Sequence, residues 1–130
     1  MENKFELTKS YIVNLGYDII SEDPDDEIVV VANENNGVLN LVVDCEDPIL
    51  IFEQFIGIIK NDSKETYKRL MQINRELVHG AFVLDSEENR LLFRDTLQLE
   101  NLDENEVEGT LSALGLAMAE YGNELIEICK

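Results

Sequence analysis

The sequence predicts an α+β fold with three helices on a twisted antiparallel sheet, in the order helix, strands, helix, two strands, helix. Helical periodicity recurs near the start, middle and end of the chain, and runs of β-branched residues lie between these segments. No linker, repeat or low-complexity segment divides the 130 residues. We therefore expect one domain, residues 1–130, with a core that needs neither disulfides nor a structural metal.

The first helix is predicted from apolar residues at helical spacing, followed by Gly16 as a stop. A short strand is expected over 17–21, and an acidic turn containing Pro24 follows it. The residues of the helical stripe are Phe5, Thr8, Ile12 and Leu15.

The next segment predicts a hairpin. Residues 28–33 contain the β-branched run Ile-Val-Val-Val, and Asn36-Gly37 is a strong signal for a two-residue turn. Residues 38–43 are then the antiparallel partner strand, and Asp47-Pro48 marks another turn. Four strands are thus expected before the second helix, with the total number left open.

Residues 48–60 form an apolar run that is interrupted only by Glu53 and Gln54. In an extended strand both faces of this run are apolar, so a second chain or a bound peptide is expected to cover one of them. The alternatives are a strand buried on both sides within one monomer, or a core helix. One set comprises Ile49, Ile51, Phe55 and Ile59, and the other Leu50, Phe52, Ile56 and Ile58.

The second half of the chain predicts helix, two strands, helix. Asp62 and Glu65 form a capping-box pattern at the start of the second helix, and Gly80 is expected to end it. Strands follow at 81–84 and 91–94. Asp103 with Glu106 predicts the cap of the last helix. The expected apolar stripes are Tyr67, Leu70, Asn74 and Leu77, then Val107, Leu111, Leu114, Met118, Tyr121 and Leu125.

The charge restricts the choice of partners. The chain has 28 acidic and 10 basic residues, a formal net charge of -18. Such a surface repels nucleic acid and anionic membranes, so we expect neither as a partner. Because the start of the sequence lacks the pattern of a signal peptide and no apolar run is long enough to span a bilayer, a cytoplasmic location is expected.

The sequence offers little for catalysis. Cys45 and Cys129 lack metal-site or redox spacing, and the only histidine, His79, is expected at the end of the second helix, where its charge favours the helix dipole. The acidic stretch after Asp85 fails as a calcium loop, since Arg90 stands where glycine is needed. We therefore predict no enzyme, cofactor or metal. An unrecognised carboxylate enzyme is the least favoured hypothesis.

Half of the basic residues gather at the second helix. They either offset the protein's own acidic surface or form an interface with an acidic patch on a second copy. Asn74 is a polar residue on an otherwise apolar stripe, so it is expected to bond backbone near the following turn. These basic residues are Lys60, Lys64, Lys68, Arg69 and Arg75.

The segment from Arg69 to Asp85, followed by 91–99 and the Asp103 helix, resembles YbjN-type and Tir-chaperone-like proteins. Its sequence is RLMQINRELVHGAFVLD, continued by LLFRDTLQL. These proteins resemble the class I chaperones of type III secretion. The resemblance covers 62–125 well and the first half only by its order of elements.

The resemblance implies a dimeric binding protein of this fold that holds a segment of a client protein. The alternative is a regulatory or scaffold protein that uses the same surface for one folded partner. Asn74 and Gly80 are expected to be structural. The residues expected at a dimer or partner surface are Ile49, Ile51, Phe52, Phe55, Ile56, Lys64 and Lys68.

Overall fold

The computed structural model describes residues 3–87 and 89–130, and there the predicted order of elements is confirmed, with six strands. The helices are α1 (Lys4–Asn14), α2 (Lys64–Glu76) and α3 (Glu104–Ile128). The strands are β1 (Asp18–Asp23), β2 (Ile28–Asn33), β3 (Val38–Glu46), β4 (Ile49–Ile58), β5 (Ala81–Leu84) and β6 (Arg90–Gln98).

The six strands form one antiparallel sheet in the order β1-β2-β3-β4-β6-β5. Alternate residues are buried along each central strand, and these side chains share one core with the buried residues of all three helices. On α2, Arg69 Nη2 donates to Glu124 Oε1 of α3 at 3.0 Å, which places α2 beside α3. The helices therefore cover one face of the sheet. The other, which we call the open face, carries no helix from the described residues.

Helix α3 is the main cover of the sheet. The predicted capping box is confirmed, because Asp103 accepts from the Glu106 backbone and Glu106 accepts from the Asp103 backbone. Thr110 donates to Asp95 of β6 at 2.7 Å. The helix comes close to the turn before β3, since a Cβ at Gly115 would lie 2.7 Å from the Asn36 carbonyl oxygen.

The connection between β2 and β3 is longer than predicted. The two strands pair as expected, but Asn33 lies opposite Val38, and a 3₁₀ turn over Glu34–Asn36 precedes Gly37 at φ 74°. The Asn33 side chain accepts from the Asn36 backbone, which stabilises this longer turn. The prediction of a two-residue Asn36-Gly37 turn is therefore wrong.

A bulge in β4 corrects the predicted alternation. Phe55 lies opposite Leu92 and Gly57 opposite Leu91, so Ile56 is the extra residue. An extra residue shifts the side-chain alternation by one position.

The two sets predicted for residues 48–60 therefore exchange members beyond the bulge. Ile59 is buried in the core that also contains Leu50 and Phe52, whereas Ile58 is exposed. The expectation that Ile59 shares a face with Ile51 is wrong. The interpretation of this segment as a strand is confirmed.

Helix α2 begins at a different cap from the predicted one. Ser63 is the N-cap and accepts from the Thr66 backbone at 3.3 Å, while Asp62 accepts from the Tyr67 hydroxyl. This start points Thr66 into the core, where it is buried. The predicted capping box of Asp62 with Glu65 is therefore wrong.

The predicted stripe of α2 is partly corrected, because its buried apolar residues are Leu70 and Ile73. The helix ends at Glu76 and not at Gly80, so His79 lies beyond its last turn. Gly80 leads into β5 at φ 76°, and a Cβ there would lie 2.4 Å from Phe93 Cζ. Glycine has a structural role here, because it adopts this positive φ readily and has no side chain to clash with the Phe93 ring.

The amide of Asn74 holds the edge strand β5. Its Nδ2 donates to the Phe82 carbonyl oxygen at 3.0 Å, and the Phe82 N–H donates to its Oδ1 at 2.7 Å. The predicted bond to backbone after the helix is confirmed. Because Phe82 offers these groups on the side away from β6, the amide takes the place of a further strand.

Candidate functional site

The open face is the side of the sheet that the described residues leave uncovered. Its side chains come from β2, β3, β4, β5 and β6, and most of them are apolar and only partly buried. The exposed fraction of Phe55 is 48% and that of Ile58 is 39%. The apolar members are Ile28, Val30, Val42, Ile49, Ile51, Phe55, Ile58, Ala81, Val83 and Leu92.

Two arginines lie at one side of the open face. Arg94 Nε lies 3.1 Å from Glu53 Oε2, and the two residues are cross-strand partners on β6 and β4. The Arg90 guanidinium lies over the Phe55 ring at 4.6 Å and also approaches Asp85 at 3.9 Å. These contacts orient both guanidinium groups and cover part of the Phe55 ring.

Acids lie at the other side of the face. Asp44 of β3 lies opposite Ile28 on β2 and Ile51 on β4. Burial and, to a smaller extent, the negative charge of Glu46 together raise the pKa of Asp44 to about 6. Its Oδ1 is shielded from water and has no hydrogen-bond partner among the described residues. The open face thus carries an acid on β3 and two arginines on β6 among its apolar side chains.

The structure divides the predicted surface residues of β4. Ile49, Ile51 and Phe55 lie on the open face, and Ile56 is the half-buried bulge residue that packs on the core. Phe52 is wrong as a surface residue, because its ring is fully buried under the helices. A strand places neighbouring residues on opposite faces, so Ile51 and Phe52 have different environments.

Lys64 and Lys68 belong to a different surface. Both are exposed on α2, on the covered side of the sheet, so they do not meet Ile51 or Phe55. Met71, with an exposed fraction of 72%, lies on the same helix. The predicted set is therefore two separate surfaces.

Sequence reasoning missed Asp44. The available signal was the position of Asp44 between Val43 and Cys45, which places an acid on the opposite face of a strand from two apolar residues. The pattern alone does not indicate its surroundings, because Ile28 and Ile51 come from other strands.

Two smaller grooves flank the exposed Leu116 on α3. One, of about 650 Å³, runs along the turn at Asn36, and the other, of about 420 Å³, lies against the segment that follows α2. Glu34 borders the first groove, and Glu76 and Glu120 border the second. Both grooves have acids at their rims.

The described residues bring together no group of three or more His, Cys, Asp or Glu side chains able to hold a metal ion. His79 is exposed and lies near Gly109 of α3. None of the helices in the described ranges is both long and apolar enough to cross a membrane.

Comparison with known proteins identifies the same fold. The CesT_Tir_1 family model matches residues 1–130. Curated protein sequences contain no match to the chain. A similar solved structure is YbjN from E. coli, with 13% identity, a TM-score of 0.70, and 92% of each chain covered.

Two solved complexes are also similar. The ExsC–ExsE complex has 14% identity and a TM-score of 0.67, with 96% of this chain and 97% of that chain covered. The Yersinia pestis type III secretion chaperone SycH, in complex with a stable fragment of YscM2, has 12% identity and a TM-score of 0.56, with 97% and 99% covered. At these identities the likeness shows the fold alone.

Proposed function

The chain belongs to the CesT_Tir_1 family, and from that premise we propose that it is a non-enzymatic, chaperone-like protein that holds a segment of a client protein on the open face. The observation that carries this proposal is the sheet with helices on one side only, whose uncovered side exposes apolar residues such as Phe55. A contiguous apolar surface of this kind is typical of a binding site.

The binding mechanism is burial of client side chains on a prebuilt surface. Apolar side chains of the client pack against Ile51, Phe55 and Leu92 and leave water, which contributes about 25 cal/mol per Å² of apolar area. The helices already hold the sheet in place, so binding does not have to order it. Client identity then depends on a pattern of apolar residues and not on one motif.

Pairing with an edge strand is an additional mode of binding. The β5 edge is closed at Phe82 by the Asn74 amide. Strand β1 is the opposite edge, and most of its residues are exposed. A client strand that joins the sheet would therefore add to β1.

The solved complexes support a protein as the partner. SycH is bound to a fragment of YscM2, and ExsC is in complex with ExsE. A non-enzymatic role is supported by the histidine content. His79 is the only histidine of the chain, so no second histidine can act with it as a general acid or base. A cytoplasmic location is supported by the free thiols of Cys45 and Cys129, which suit a reducing compartment.

We also propose a homodimer in which α2 contributes to the contact. Lys64 and Lys68 form no ion pair with another described residue, whereas Arg69 already binds Glu124 of its own chain. The exposed Met71 gives this helix an apolar contact. An acidic patch of a second copy is a suitable partner for these lysines.

The second candidate function is a regulator or scaffold that binds one folded partner on the open face. The same apolar surface favours both functions, so the nature of the captured protein distinguishes them. Affinity capture from the source cell, followed by limited proteolysis of the captured proteins, tests this. Several protease-sensitive clients support chaperoning, and one stoichiometric folded protein supports regulation.

The capture needs matched variants to locate the site. Ile51→Glu puts a charge on the open face, and Val13→Glu puts the same charge on an exposed apolar residue of α1. We expect Ile51→Glu to lose the clients and Val13→Glu to keep them. Retention of the same clients by Ile51→Glu would contradict a site on the open face.

A further inference from the structure

The acid within the open face has one oxygen that receives no hydrogen bond from the described residues. Asp44 stands between two isoleucines on neighbouring strands, and its Oδ1 is shielded from water without a hydrogen bond from the described residues. A carboxylate oxygen in this state is costly for the folded protein, because it has lost water and gained no donor. A bound molecule that brings a donor would remove this cost.

The charges around Asp44 are also negative. Glu46 on the same strand, Asp26 in the β1–β2 turn and Glu53 on β4 all raise its pKa. Glu53 is bonded to Arg94, but Asp44 has no such cation in the described chain. This side of the face therefore attracts a positive charge, whereas the side with Arg90 and Arg94 does not.

We propose that Asp44 receives a lysine or arginine side chain from the bound segment, so that the open face selects segments that combine apolar residues with a cationic one. This rests on the proposed function, since the segment must lie on the open face. The aliphatic stem of the cationic residue lies along Ile28 and Ile51, and its charged end reaches Asp44. Apolar residues of the segment cover Val42 and Phe55.

Three synthetic peptides of equal length test the proposal. In each peptide valine alternates with serine, and one central valine is replaced by lysine in the first, by glutamine in the second and by glutamate in the third, so that the tested residue points to the same face as the valines. Binding is measured by fluorescence anisotropy at low and at raised salt, because raised salt screens the general attraction of the acidic protein more than a direct contact. We expect the lysine peptide to bind wild type about tenfold more tightly than the glutamine peptide.

Two variants separate the contact from the net charge. Asp44→Asn removes the carboxylate in the face, and Asp25→Asn removes one on the exposed β1–β2 turn. We expect Asp44→Asn to reduce the preference for lysine to about twofold, and Asp25→Asn to leave it nearly unchanged at raised salt. Equal losses in both variants would overturn the proposal, because the preference would then come from net charge.

The remaining outcomes distinguish this proposal from the proposed function. If Ile51→Glu abolishes binding and wild type binds the lysine and glutamine peptides equally, the face binds segments but Asp44 does not select them. If no peptide binds, or if Ile51→Glu leaves binding intact, both proposals fail. If Asp44→Asn changes the molar mass in light scattering and not the peptide preference, a second copy occupies the face, and the proposal is overturned.

Discussion

Asn74 and Asp44 are two half-buried polar residues that differ in whether the chain supplies hydrogen-bond partners for their side chains. Asn74 both donates to and accepts from the Phe82 backbone. Asp44 has an oxygen without a donor among the described residues. The first arrangement stabilises an edge of the sheet, whereas the second lowers stability and leaves a hydrogen-bonding group for a ligand. Substitutions at the two positions should therefore have opposite effects.

Asn74→Leu should lower the free energy of unfolding by about 1–3 kcal/mol, because the Phe82 N–H and carbonyl lose their partners at the β5 edge. Urea unfolding followed by circular dichroism measures the change. Gln72→Leu, at an exposed position of the same helix, is the control and should change stability by less than about 0.5 kcal/mol. Equal midpoints for Asn74→Leu and wild type would contradict this role.

Asp44→Asn should raise stability at neutral pH. The pKa of Asp44 is raised to about 6 in the folded protein, so the folded state binds the proton more tightly than the unfolded state, where the pKa is close to 3.8. The free energy of unfolding that Asp44 contributes to wild type is therefore present below about pH 4 and is lost as the pH rises to about 6. Above that pH this contribution no longer changes. After allowance for partial exposure, the gain in the variant should be about 1–2 kcal/mol at pH 7.

Urea unfolding of wild type and Asp44→Asn at about pH 4 and about pH 7.5 checks this pH dependence. The difference between the two proteins is the relevant quantity, because all other carboxylates titrate in both. A difference that does not grow with pH would show that the Asp44 carboxyl is not destabilised in the folded state.

Among the elements, β4 separates the core from the proposed binding surface. Phe52 is fully buried, while Ile51 faces the open side together with Phe55. The bulge at Ile56 then lets the chain return Ile59 to the core. One strand thus serves both stability and the proposed recognition.

Phe52→Asp and Ile51→Glu should have different effects on folding. Phe52→Asp removes a fully buried ring and buries a charge without a partner, so it should cost more than about 5 kcal/mol, comparable to the whole stability of a small domain, and unfold the monomer. Ile51→Glu places its charge at the solvent side, opposite Asp44, and should cost about 1–2 kcal/mol, which leaves the protein folded. Thermal unfolding and gel filtration measure both. Equal unfolding by the two variants would mean that β4 is buried on both sides.

At the scale of the whole molecule, charge opposes self-association. Two copies with a formal net charge of -18 each repel, and the exposed Lys64 and Lys68 on α2 provide a local exception. Apolar contact through Met71, or through the open face, has to overcome the remaining repulsion.

The protein should be a dimer in solution, and raised salt should strengthen association if self-repulsion is its main opponent. Light scattering at micromolar concentration and moderate salt gives the molar mass. A double variant, Lys64→Glu with Lys68→Glu, should weaken the dimer, while Lys130→Glu at the exposed end of the chain should not. A monomeric mass for wild type would rule out the dimer.

The family and the order of the elements could be predicted from the amino-acid pattern alone. The family resemblance inferred mainly from 62–125 is confirmed by a family match over residues 1–130. Helical and strand periodicity are local properties, so the three helices and both groups of strands could be predicted. The Asp103 cap and the Asn74 bonds were also predictable, because their partners lie within a few residues.

Which surface of the sheet is open depends on how the helices pack and could not be predicted from the sequence. Alternation in β4 shows that two faces exist, but the position of the helices determines that Phe52 is covered and Ile51 is not. A bulge depends on pairing between strands, so its shift of the alternation could not be read from one segment. The environment of Asp44 likewise comes from Ile28 and Ile51 on other strands. Contacts between residues distant in sequence arise from packing, which local periodicity does not encode.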